Sequence, residues 1–103
     1  MAIRAGATPQ QIARRFAELV REEPAARKLW LEVRDHDIQL WLLATDTDRE
    51  TENRLYEASF VLAEAFPDAP IHFHLLVPRF YVNGDPQAAL PPGLEEIPLR
   101  AEQ

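Results

Sequence analysis

Three features of the sequence predict an α+β fold: two apolar stripes at helical spacing, three runs alternating at strand period, and turn or proline signals between them. In chain order the elements read helix, strand, strand, helix, strand, then a further short strand. The expected architecture is a two-layer sandwich with both helices on one face of a small mixed sheet. The 103 residues suit a single domain spanning 1–103, with a loop-rich C-terminal segment over 78–103.

The first helix begins at Thr8-Pro9-Gln10-Gln11. Thr8 can cap it, Pro9 suits the first helical position, and Gln11 completes a capping box. Ile12, Phe16, Leu19 and Val20 then form one apolar stripe, and Pro24 ends or bends the helix. Residues Ala25 to Lys28 are read as a further turn. From Leu29 to Arg34 the pattern has period two, with Leu29, Leu31 and Val33 on one side and Trp30, Glu32 and Arg34 on the other. Asp35-His36-Asp37 reads as a tight hairpin turn. The return strand, Ile38 to Leu43, places Ile38, Leu40 and Leu42 against Gln39, Trp41 and Leu43.

A second helix starts within Thr45 to Asp48, where Thr47 and Glu50 fit a capping box. Its apolar stripe is Leu55, Ala58, Ser59, Leu62, Ala65 and Phe66, and Pro67-Asp68-Ala69-Pro70 stops it. The third strand, Ile71 to Val77, alternates Ile71, Phe73, Leu75 and Val77 with His72, His74 and Leu76. Because a helix lies between the second and third strands, they can be parallel neighbours through a right-handed crossover. Beyond Pro78 the pattern weakens. Asn83-Gly84-Asp85 is a turn, Pro86 to Gly93 is loop, and Glu96 to Arg100 suits a short edge strand in which Pro98 is tolerated.

Two helices on one side would cover the leucine-rich face of this sheet. The opposite face would carry Trp30, Glu32, Arg34, Gln39, Trp41, Leu43, His72, His74 and Leu76. An apolar patch of that size on a sheet marks a partner, a ligand, or another part of the chain.

Composition narrows what such a face could do. The net charge of −6 disfavours phosphate backbones and anionic membranes as partners. The absence of Cys excludes disulfides, thiolate catalysis and thiolate-ligated metal centres, and fits a cytoplasmic setting. No apolar run approaches the ~20 residues that span a bilayer, and the N-terminal pattern lacks the apolar core of a secretory signal. Arg4, Arg14 and Arg15 mimic an organelle presequence, but the same pattern runs on into Glu18, Glu22 and Glu23, which makes it a structural helix.

Candidate chemistry is sparse. His72 and His74 share a strand face about 7 Å apart, a spacing that could hold a metal only with further ligands such as Glu32. The stretch His72-Phe73-His74-Leu75-Leu76-Val77 resembles part of the histidine-triad motif of nucleotide hydrolases and transferases. In that family the last His of the alternation is the nucleophile, and Leu76 stands in its place here. Asp35-His36-Asp37-Ile38, leading into an apolar strand, resembles the paired magnesium-binding aspartates of minimal nucleotidyltransferases. That family also implies a Gly-Ser turn upstream, and no Gly or Ser lies between Glu22 and Glu57. The structural reading of the two aspartates is a turn that uses them for local hydrogen bonds.

Ser59 is the sole Ser and falls on the expected buried stripe, which suits a hydroxyl bonded to the preceding helical turn. Gly6, Gly84 and Gly93 are too dispersed to form a phosphate loop. The acidic run from Thr45 to Glu52 fits a helix start with carboxylates at the positive end of the dipole.

The sequence therefore leads to a non-catalytic module that pairs with itself as a homodimer, or with another protein, using no cofactor. Its expected interface residues are Trp30, Glu32, Arg34, Trp41, Leu43, His72, His74 and Leu76, with no catalytic or metal-ligating residue assigned. The alternative is a degenerate nucleotidyltransferase-like, metal-binding or ligand-binding domain.

Overall fold

The computed structural model describes residues 7–45, 48–78 and 90–100. Its elements are α1 (Pro9–Val20), β1 (Ala26–Arg34), β2 (Asp37–Ala44), α2 (Arg49–Ala65), β3 (Ile71–Leu76) and β4 (Glu95–Ile97). The four strands form one mixed sheet in the order β3-β2-β1-β4. Together with the two helices they make the α+β arrangement that the sequence patterns imply.

The N-terminal capping box of α1 is fully formed. Gln11 N–H donates to Thr8 Oγ1 at 3.1 Å, and Thr8 N–H donates to Gln11 Oε1 at 2.8 Å. The helix ends at Val20, before Pro24, with Arg21 as its C-cap. Its buried face is Ile12, Ala13, Phe16, Ala17 and Val20. Ala25 to Lys28 makes no helical turn. Instead Ala26 opens β1 opposite Ala44, and an irregularity between Ala26 and Lys28 absorbs one residue. Strand pairing outweighs the helical preference of that short stretch.

The hairpin is tighter than the three-residue reading. Arg34 pairs with Asp37, so the turn is Asp35-His36 alone. Asp35 has φ 59°, as the first central position of a primed two-residue turn requires. The strand β2 is hydrogen-bonded on both sides: antiparallel to β1 and, as expected, parallel to β3. Its even-numbered residues Ile38, Leu40, Leu42 and Ala44 are all buried, and its odd-numbered residues are all partly buried.

Asp48 caps α2 by accepting the Thr51 N–H at 2.8 Å. It takes the role expected of Thr47, which lies outside the described residues. Hydrogen bonds from Thr51 hold the Asp48 carboxyl below its ordinary pKa. The expected stripe of α2 is only partly realised. Leu55 and Leu62 are buried, Ala58, Ser59 and Phe66 are partly buried, and Ala65 is exposed. The Ser59 hydroxyl donates to the Tyr56 carbonyl at 2.6 Å, as its place in a helix suggests.

The fourth strand spans Glu95–Ile97 rather than Glu96 to Arg100, and Pro98 follows it directly. It pairs antiparallel with β1, setting Ile97 opposite Leu29. Ile97 and Leu99 join the core, and Arg100 donates to the carbonyls of Ala26 and Glu23 at 2.9 Å each. The expected turn at Asn83-Gly84-Asp85 lies outside the described residues.

The core sits between the helices and the inward side chains of β1 and β2, with Phe16 fully buried and edge-to-face against Phe73 at 5.2 Å. A glycine suits the left-handed φ of Asp35 better than any residue carrying a Cβ. Asp35→Gly is therefore expected to exceed Asp35→Ala in unfolding free energy by about 1 kcal/mol. Urea denaturation checks this, and equal midpoints would show that the turn conformation carries no strain.

Candidate interaction face

Strand register assembles the second face of the sheet into rows. Trp30 lies opposite Trp41 across β1–β2, and Trp41 lies beside His74 across β2–β3. On the other flank Glu96 pairs with Trp30. One row therefore runs Glu96, Trp30, Trp41, His74. A second row runs Lys28, Leu43, Leu76, and a third Glu32, Gln39, His72. All eight interface residues expected from the sequence belong to this face, since strand alternation allows them no other.

The rings of Trp41 and His74 are stacked, with centroids 4.0 Å apart and planes inclined by 16°. His74 Nε2 lies 2.6 Å from Gln39 Oε1. With the amide oxygen facing the ring, the proton sits on Nε2 and is donated to Gln39. Arg34 donates through Nε and Nη2 to one Glu32 oxygen, at 3.2 and 2.8 Å. The other Glu32 oxygen, Oε1, and the indole Nε1 of Trp41 are both buried and find no hydrogen-bond partner among the described residues. Such an orphaned group costs roughly 1–3 kcal/mol until something pairs with it.

Exposure varies across the face. Arg34 and His72 are exposed, whereas Trp30, Glu32, Trp41, Leu43 and His74 are partly buried. Leu76 is only 2% exposed. The described strand β4 lies beside β1 at the sheet edge and not over the face.

The two hairpin aspartates diverge. Asp37 starts β2 on the mixed face, with Oδ2 3.5 Å from His72 Nε2. Asp35 instead lines a cavity of about 330 Å³ on the helix side, with Asp68 and the apolar side chains of Ile12, Val33, Ile38 and Phe66. A shared magnesium site between Asp35 and Asp37 is thus not assembled. Among the described residues no group of three His, Asp or Glu converges in a way that could hold a metal ion.

The sequence pattern missed a second apolar surface. The outer side of α2 exposes Tyr56 by 42%, Phe60 by 65% and Val61 by 47%. The signal was present. Tyr56, Phe60 and Ala63 recur at helical spacing outside the stripe of Leu55, Ala58 and Leu62. The Tyr56 ring also meets Phe73 edge-to-face at 5.5 Å, placing this line of α2 above β3.

Comparison with known proteins matches no family model, no curated protein and no solved structure. The likenesses to histidine-triad and nucleotidyltransferase segments rest on the quoted residues alone.

Burial lowers the pKa of His74 below its ordinary value, and the neighbouring His72 adds to the effect. Arg34 pushes the same way, while the Glu32 charge opposes them. The folded protein therefore resists protonating His74 more than the unfolded chain does. Its contribution to stability is full above the unfolded pKa of about 6.5 and is lost as pH falls from there through the lowered folded value. NMR titration of the native protein should place the His74 midpoint below 6.5, and the acid-side loss of stability should shrink in His74→Gln. A native midpoint at or above 6.5 would contradict the burial of the ring.

Proposed function

We propose that this domain is a non-catalytic interaction module that associates with a second copy of itself and uses the mixed sheet face for recognition. The observation that carries this reading is the continuous Trp30–Trp41–His74 row beside Trp41 Nε1 and Glu32 Oε1, which find no partner among the described residues. Aromatic side chains concentrate the binding energy of protein interfaces, and a protein surface supplies donors and acceptors for such polar groups.

A second copy is favoured as the partner because this face carries both signs of charge. Arg34 and Lys28 lie among Glu32, Asp37 and Glu96, although the chain as a whole is strongly acidic. A face of both signs lets two copies of an acidic chain come together without the repulsion their net charge would otherwise cause. A cytoplasmic setting suits a chain without cysteine. No helix among the described residues is long and apolar enough to cross a membrane.

The ligand-binding alternative has one observation in its favour. The cavity beside Asp35 and Asp68 has an apolar floor and a volume of small-ligand size.

Light scattering at micromolar concentration should give twice the 11.8 kDa chain mass. Trp41→Glu, which breaks the stack on His74 of β3, should weaken self-association by at least about tenfold. Circular dichroism verifies that the variant is folded. A wild type that stays monomeric at every concentration would overturn self-association.

A further inference from the structure

We infer that the outer edge of β3 is the seam at which the second copy joins, by antiparallel strand addition. The inference rests on the reading of the domain as a self-associating module, and supplies the site of contact.

The direction of the β3 backbone follows from one hydrogen bond. Ile38 N–H donates to the Pro70 carbonyl at 2.9 Å, so the main-chain groups of Pro70 face β2. Successive residues of a strand turn these groups to opposite sides. His72, His74 and Leu76 therefore also point their main-chain groups at β2. Ile71, Phe73 and Leu75 point theirs outward. β3 ends the strand order, so among the described residues those outward groups meet no further strand.

The two edges of the sheet differ in how they resist pairing. At the β4 edge the strand is only three residues long, carries Glu95 and Glu96, and is followed by Pro98. Short length, charge and proline are the usual protections of a sheet edge. The β3 edge is six residues long and contains no Asp, Glu, Lys, Arg, Pro or Gly. Its pairing with β2 is regular throughout, with no bulge to turn it away.

The sequence of β3 is also complementary to itself. An antiparallel two-fold centred on Phe73 sets Phe73 against its mate and Ile71 against Leu75 of the other copy. The residues with outward main-chain groups then oppose one another, as a hydrogen-bonded ladder requires, and would exchange about six hydrogen bonds. The same register keeps apolar side chains together on the helix side and sets His72 against His74 on the mixed face. β3 carries no Asp, Glu, Lys or Arg, so no permanently charged side chain meets a like charge across this seam.

The helix above this edge is prepared in the same way. Asn53, Tyr56, Phe60 and Ala63 lie on one line of α2, all exposed and all uncharged. Paired β3 strands would bring this line toward its mate across the dyad, covering Phe60 and the partly buried Phe73 together. Joined there, the two sheets become one of eight described strands, and the mixed faces become continuous.

Hydrogen exchange of the wild-type protein, resolved by residue from low micromolar to near-millimolar concentration, tests the seam. Exchange at the Ile71, Phe73 and Leu75 amides should slow by at least about tenfold as the dimer forms, while His72 and His74, already bonded to β2, change little. Leu75→Pro removes an outward N–H, and Phe60→Glu charges the exposed line of α2. Each should weaken the dimer at least about tenfold with unchanged circular dichroism. If the mass doubles while protection at Ile71, Phe73 and Leu75 stays constant, the copies meet elsewhere; the seam is overturned and self-association stands. If protection of those amides appears only when another protein is added, the edge takes a different strand and the second copy is the wrong occupant. A monomer at all concentrations overturns both.

Discussion

The pairing of Trp30 with Trp41 is the constraint on which the rest of this molecule depends. Side chains in a strand alternate with a period of two, so this one register decides which residues of β1 and β2 enter the core. With Trp30 opposite Trp41, Leu29 meets Leu42 and Leu31 meets Leu40 on the helix side. A slip of one residue would bury the tryptophans and expose the leucines. The turn at Asp35-His36 reinforces the register, because a two-residue loop allows one pairing of the strands it joins. β3 then takes its register from β2, which brings His74 onto Trp41 and Phe73 toward Phe16.

The helical layer above this sheet is uneven. α1 buries five residues in twelve, whereas the longer α2 buries only Leu55 and Leu62. The unevenness passes to the strand beneath. On their helix side β1 and β2 are sealed at Leu29, Leu31, Leu40 and Leu42, while Ile71, Phe73 and Leu75 of β3 remain only partly buried. Burial of apolar area is the main favourable term in folding and in association alike. A flank left half-covered by folding therefore retains some of that driving force for association.

Much of the fold could be read from local chemistry. The Thr8 capping box, the alternation from Leu29 to Leu43 and the parallel placement of β3 depend on short-range pattern or on a topological rule, and all three appear in the structure. The features that escaped depend on distant partners. Ala26 to Lys28 becomes strand because Ala44 and Leu43 lie opposite. Ala65 is exposed because α2 meets its neighbours over fewer positions than its stripe allows. The candidate face was legible in membership but not in geometry. Alternation names Trp41 and His74, whereas their stack and the orphaned polar atoms require cross-strand register and packing. The divergence of Asp35 from Asp37 likewise follows from a backbone angle that residue identity alone does not specify.

The asymmetry between the two sheet edges is more informative than either edge alone. Both belong to one molecule, and among the described residues neither pairs with a further strand. β4 carries the protections: brevity, two glutamates and a following proline. β3 carries none, although a Lys or Glu at His72 or His74 would keep the alternation and add a charge on the mixed face. General avoidance of aggregation would predict protection on both sides. A regular, uncharged strand beneath Tyr56 and Phe60 is instead what an edge used for pairing requires, because charge and distortion there would oppose its own ladder. His at the two positions leaves polar groups on the mixed face, where His74 meets Gln39 and His72 meets Asp37, without adding Lys, Arg, Asp or Glu to the edge. The mixed face and the β3 edge thus share the same two residues, which ties the proposed recognition surface to the strand that would double it.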